Sequence, residues 1–106
     1  MNGPYPVSQI SDKIDPETIG VYMLSRGGRT VHYVGRSDSD LQKETRYSSS
    51  LSDYSHFWFE YASSPMQAYK RECVLYHYHD PVDNTNHPAV PSGTNWRCPV
   101  NGCEWN

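Results

Sequence analysis

A chain of 106 residues with a formal net charge of −3 has room for one hydrophobic core, because chains divide into separate cores only beyond ~250 residues. Leu, Ile, Val and Phe together number only 17, whereas nine Tyr and three Trp each bury ~150–250 Å² while keeping a polar tip hydrogen-bonded, so the core is expected to be aromatic and thin. No run approaches the ~18 apolar residues of a membrane span, and the start MNGPYPVSQI has neither the basic region nor the apolar stretch of a signal peptide; a cytoplasmic protein is expected.

Residues 1–18 carry Pro4, Pro6 and Pro16 with few periodic apolars, which predicts an irregular lead-in. Ile19, Val21 and Met23 then alternate with Gly20, Tyr22 and Leu24, and a second run spans Thr30 to Gly35. The Gly27-Gly28 pair between them supplies positive φ, and the pattern predicts a β-hairpin. Ser37 to Ser52 is polar with Leu41, Thr45, Ser48 and Leu51 at roughly helical spacing and Asp38 or Asp40 as cap. This is a helix weak by propensity, needing tertiary contact to form. His56 to Tyr61 places Phe57, Phe59 and Tyr61 on one face, as in a buried strand. Ser64, Pro65 and Gln67 form a helix-start signature, and Met66, Tyr69, Cys73 and Tyr76 make a stripe on a helix running to about His79. From residue 80 the chain is aperiodic and rich in Pro, Asn and Gly. The expectation is one α+β domain over 1–106: a three-stranded antiparallel sheet flanked by helices in the order β-β-α-β-α, its core at 19–79, with an irregular extension at 80–106.

Gly20-Val21-Tyr22, followed after ten residues by Tyr33-Val34-Gly35, then a basic helical segment and Glu72 on a later helix, resembles the paired signature of the GIY-YIG endonuclease family. The resemblance covers residues 19–79. It implies hydrolysis of nucleic-acid phosphodiesters, DNA in the first instance, with one divalent cation, Mg²⁺ or Mn²⁺. It also implies that Tyr22 and Tyr33 lie together on one sheet face and position or deprotonate the attacking water, and that Glu72 holds the cation. A free phenol titrates near ~10, so a base role requires a depressed value or a relay. His32, next in sequence to Tyr33, points to the opposite face of a strand and is a poor relay. A lone carboxylate suits a hard cation that keeps several waters.

The family's phosphate-clamping Arg falls three residues after an apolar position, here Leu41, and that slot holds Glu44. Arg46 is the leading substitute because its fork binds phosphate bidentately; Lys43 is the alternative and Arg36 a second contact. Five of the nine basic residues, Arg26, Arg29, Arg36, Lys43 and Arg46, fall within 21 positions, a local patch on a chain with no general polyanion-binding surface. The His that often follows the Arg is missing; Tyr47 stands in its region, and Asn84 or Asn86 are candidates for a late carboxamide.

Three cysteines, an odd number, point to reduced thiols or metal ligands. Cys98 and Cys103 flank a Pro- and Gly-containing turn, and Cys73 and His77 lie four apart on one helix face. Together they compose a tetrahedral Cys₃His zinc set, with His79 or His87 in reserve, that staples the tail to the thin core. The bland readings are a buried apolar Cys73 and a Cys98–Cys103 disulfide. The functional expectation is a small metal-dependent nuclease. The rival is a non-catalytic nucleic-acid- or protein-binding module on the same scaffold, with Trp58, Trp96 and Trp105 as stacking residues.

Overall fold

The computed structural model describes residues 1–106, and its organising unit is the hairpin. Gly27 and Gly28 turn the chain at φ 112° and 85°, conformations that cost a glycine little. They bring β2 (Gly20–Ser25) against β3 (Tyr33–Ser37) in antiparallel register, with Tyr22 opposite Gly35 and Leu24 opposite Tyr33. β4 (His56–Tyr61) pairs antiparallel along the other side of β2, with Tyr22 opposite Phe59.

The sheet has four strands in the order β1-β4-β2-β3, which corrects the expectation of three. The added strand, β1 (Asn2–Pro6), comes from the segment predicted to be irregular. Proline cannot supply a ladder donor and is confined to edges and bulges. β1 is such an edge: it pairs only with β4, and its register shifts between Asn2 and Tyr5. The same prolines that argue against a central strand are therefore compatible with this one. A short turn of 3₁₀ helix (Val7–Gln9) and a four-residue helix α1 (Ile10–Lys13) follow, burying Ile10.

Alternation sends successive side chains of β2 to opposite faces. Tyr22 and Leu24 join Phe57 and Phe59 beneath Ile10, Ile14 and Leu41, the last from α2 (Leu41–Ser49). Val21, Met23 and Val34 form the other face beneath Ala68 and Leu75 of α3 (Pro65–His79). Both helices start as the sequence predicts. The Asp40 carboxylate accepts the Lys43 N–H at 3.1 Å, and the Ser64 hydroxyl accepts that of Gln67 at 3.2 Å. α2 buries Leu41, Thr45 and Ser48, two of them hydroxyls. Each hydroxyl is satisfied, Thr45 by the Leu41 carbonyl at 2.7 Å and Ser48 by the Tyr22 phenol at 2.6 Å, as burial demands.

The extension from residue 80 has neither helix nor strand, yet it is fastened. Asn84 lies against the exposed edge of β3, accepting the Val34 N–H and donating to the Val34 carbonyl, both at 2.9 Å. Its carboxamide thus serves as a one-residue strand partner, which blunts an edge open to strand addition. A third cluster joins Tyr69 and Cys73 of α3 to Cys98 of the extension, with Trp96 packed against it. No helix is long and apolar enough to cross a membrane.

A Cβ at Gly35 would come within 2.4 Å of the Tyr22 ring and hydroxyl. Overpacking of this sort costs ~1–3 kcal/mol, so Gly35→Ala is expected to lower the urea midpoint accordingly, whereas Gly27→Ala, limited to backbone strain with open space around it, is expected to cost less.

Candidate functional site

Two groups of polar side chains stand apart from the core. The first is built on β3. Opposed register brings the Tyr22 and Tyr33 rings to 6.2 Å between centroids on the α2 face of the sheet. Tyr22 is only 1% exposed; its ring lies over Gly35, where no side chain interferes, and its hydroxyl reaches Ser48. Tyr33 is half-buried and more open to solvent. Burial pushes both phenols above their ordinary value, and the negative charges of Glu44 and Glu72 push them further. Neither phenol is poised as a base. Both stay protonated at neutral pH and can only donate, accept or orient. His32 provides no relay, since its Nδ1 accepts the Arg26 N–H at 3.1 Å.

Val34 and Arg36 project to the α3 face of the same strand, so the acid approaches β3 from the side opposite the phenols while its charge still reaches both. Glu72 is 7% exposed. Its partner is not the neighbouring Lys70 or Arg71. Arg36 Nη1 donates to Glu72 Oε1 at 2.6 Å, Nε donates to Asp38 at 3.2 Å and Nη2 to the Ala89 carbonyl at 3.2 Å, while the guanidinium lies 5.3 Å from the Tyr69 ring centre. Burial raises the Glu72 carboxyl above the usual range, and Arg36 only partly offsets this.

The expected clamp does not join this group. Arg46 is exposed and turned toward α1, its Nη1 donating to Ser11 at 3.4 Å. The register of α2, fixed by the Asp40 cap and buried Leu41, turns Glu44 rather than Arg46 toward the phenols. Lys43 is exposed beside Ser37, Asp40 and Tyr47 in a shallow depression. Tyr47 is exposed; the hydrogen-bond partner of Tyr22 is the neighbouring Ser48. Its helical spacing from Leu41 is the one sequence signal that marks it. Asn84 is consumed by the sheet edge, and Asn86 donates only to Thr85.

The second group is a cluster of His77, His87, Cys98 and Cys103, whose ligand atoms all lie within 4.8 Å of one another and could hold a metal ion. Each ligand is set by local chemistry. The Cys98 N–H donates to the Trp105 carbonyl at 2.8 Å, that of Cys103 to the Val100 carbonyl at 3.3 Å, and that of Trp105 to Cys103 Sγ at 3.4 Å, folding the segment after Pro99 into a loop that aims both sulfurs one way. His87 Nδ1 faces the Pro88 carbonyl at 2.9 Å. A carbonyl only accepts, so Nδ1 carries the proton and Nε2, 3.5 Å from Cys103 Sγ, is left as the ligand atom, the usual way an outer partner fixes a ligating imidazole. Trp105 stacks parallel on His87 at 5.0 Å. Partial burial and the neighbouring His87 push the His77 imidazole down, toward the neutral form that ligates.

Cys73 is not among the four, which corrects the Cys₃His set. Helical spacing does put it beside His77, but its sulfur turns inward against Tyr69 and Cys98, and burial pushes its thiol up to about 12. It is a protonated core residue, and His87, the reserve ligand, takes its place. His79 lies elsewhere, with Met1, Met23 and Val74. All three cysteines are free, which also removes the Cys98–Cys103 disulfide. No family model, curated protein or solved structure matches the chain.

Metal analysis of the purified protein is expected to give about one divalent ion per chain. The ion should be lost in Cys103→Ser and His87→Ala and kept in Cys73→Val. Retention in the first two with loss in the third would reverse the ligand assignment.

Proposed function

We propose that this chain is a divalent-metal-dependent hydrolase of nucleic-acid phosphodiesters, of the GIY-YIG kind and acting on DNA in the cytoplasm, with an extension stapled by structural zinc. The observation that carries the reading is that two hairpin phenols, Tyr22 of β2 and Tyr33 of the edge strand β3, stand together on one sheet face while the buried carboxylate of Glu72 on α3 comes to β3 from the other. A guanidinium lies against that carboxylate.

The donor set fits a hard cation. Glu72 Oε1 is occupied by Arg36 while Oε2 makes no hydrogen bond, and Mg²⁺ or Mn²⁺ is commonly held by one carboxylate with the remaining positions left to water and phosphate. When bound, such a cation supplies charge stabilisation at the leaving oxygen. Arg36, in place of Arg46, is the phosphate partner: its fork already grips one oxyanion and can exchange the carboxylate for a phosphate oxygen of similar geometry. Tyr33 orients the attacking water through its neutral hydroxyl. Tyr22 is too buried to touch substrate and holds Tyr33 and Ser48 in place. Asp38, drawn to the same guanidinium, keeps Arg36 from being wholly committed to Glu72.

For the second cluster, two thiolates and two imidazoles favour zinc over harder cations. Tetrahedral zinc, with bonds of ~2.3 Å to sulfur and ~2.0–2.1 Å to nitrogen, separates its ligand atoms by ~3.3–3.8 Å, and the four atoms here need only a small contraction from their 4.8 Å limit. Four protein ligands leave no open position, so this zinc is structural.

The rival reading, a binding module without chemistry, is favoured by Glu44 in the clamp position and by the closed Arg36–Glu72 pair. Cleavage of supercoiled plasmid with Mg²⁺ or Mn²⁺ separates the two. Under the hydrolase reading Glu72→Ala abolishes cutting and Arg36→Ala slows it by ~10²–10³, the usual cost of removing one electrostatic stabiliser, while Arg46→Ala changes it little. Plasmid binding by a parent protein that never cuts would establish the rival.

The pH profile gives a further check. A proton on Glu72 competes with the cation, and its carboxyl is raised above the ordinary value by burial, so activity is expected to fall as pH drops through a midpoint higher than that of a free glutamate. A midpoint below the ordinary range would contradict Glu72 as the ligand.

A further inference from the structure

The largest cleft, about 470 Å³, is neither the Arg36–Glu72 pair nor the metal cluster. It is lined by Tyr33 and Ser48, by Arg26, Tyr54 and Asp83, and by the exposed aliphatics Leu51 and Val82. Its polar residues are prearranged. Arg26 donates to both Asp83 oxygens at 2.8 and 3.3 Å, Tyr54 donates to the same carboxylate at 2.5 Å, and the guanidinium stands 5.2 Å from the Tyr54 ring centre. In a protein with so few aliphatics, Leu51 and Val82 are 65% and 74% exposed and both line this one cleft.

We infer that this cleft receives one unpaired nucleobase, so that the preferred substrate is a strand with a base outside the duplex stack. This deepens the nucleic-acid reading above and rests on it. The volume lies within the ~300–1,000 Å³ of small-ligand pockets, and apolar walls around a few convergent polar groups are the lining such ligands take. Leu51, Val82 and the half-buried Tyr33 ring offer flat apolar contact to the faces of a heterocycle. The Arg26–Asp83 pair presents both donors and acceptors to its edge. Other occupants fit less well. A phosphate would meet the Asp83 carboxylate with Asp53 close behind it, 3.7 Å from Arg26, and an extended peptide finds the adjacent β3 edge already taken at Val34 by Asn84. Enzymes that do chemistry on a base show that an extruded base can be held in a pocket of this kind, by stacking and by hydrogen bonds to its edge.

The test uses the full chain, with no chelator and no added Mg²⁺, and single-stranded DNA carrying one 2-aminopurine, compared with the same strand abasic at that position. Quenching of 2-aminopurine and binding about tenfold tighter than to the abasic strand are expected, as for a stacked base. Both effects should be lost in the Leu51→Asn/Val82→Asn variant, whose exposed positions and unchanged formal charge leave folding and phosphate attraction intact. Quenching and preference that vanish in the variant support the inference whether or not the parent cuts DNA with Mg²⁺. Cutting by a parent that shows no base preference overturns it and leaves the hydrolase reading standing. Failure to bind any strand overturns both.

Discussion

The contact on which most of this molecule leans is the 2.6 Å pairing of Arg36 with Glu72, a guanidinium and a carboxylate whose side chains are 15% and 10% exposed. Removing two charges from water is costly, and their attraction compensates only when the remaining hydrogen-bonding capacity is filled. Here the guanidinium also reaches Asp38 and the Ala89 carbonyl and lies over Tyr69. One side chain therefore ties the edge strand to α3, to the turn that precedes α2 and to the extension. Losing either partner would strand a buried charge, an event that typically costs ~3–5 kcal/mol.

That arrangement links the two polar centres. Ala89 lies between His87 and Cys98, two members of the metal cluster, and its carbonyl faces Arg36. The position of that carbonyl depends on a segment with no helix or strand of its own, fastened by Asn84 at one end and by the Cys98–Trp105 loop at the other. A metal held by that cluster would stabilise a small domain with an aromatic, sparsely aliphatic core, because metal binding adds directly to folding free energy. The buried Cys73, pressed between Tyr69 and Cys98, completes the apolar packing behind the cluster.

Much of the framework is legible from residue order alone. The Gly27-Gly28 turn, the alternation from Ile19 to Leu24, the His56–Tyr61 strand and the Ser64-Pro65 start of α3 are local signals, each set by backbone sterics or by a cap within a few residues. β1 escapes because prolines forbid a central strand but not an edge, and only the position beside β4 decides which applies. Glu72 as a buried residue escapes for a similar reason. Its burial comes from Arg36, 36 positions away, and no periodicity announces that partner.

The chain's own sequence determined the hairpin, the two capped helices and the supply of thiols and imidazoles, because these follow from φ preferences, alternation and composition. Only the tertiary structure decided which of them meet. The α2 register turned Glu44 inward and Arg46 outward, the packing of α3 turned Cys73 into the core, and the path of the extension brought His87 to Cys98 and Cys103. The physical reason is range. Local rules act over one turn or one pleat, whereas a site assembled from β3, α3 and an aperiodic tail is fixed by packing and desolvation between segments tens of residues apart.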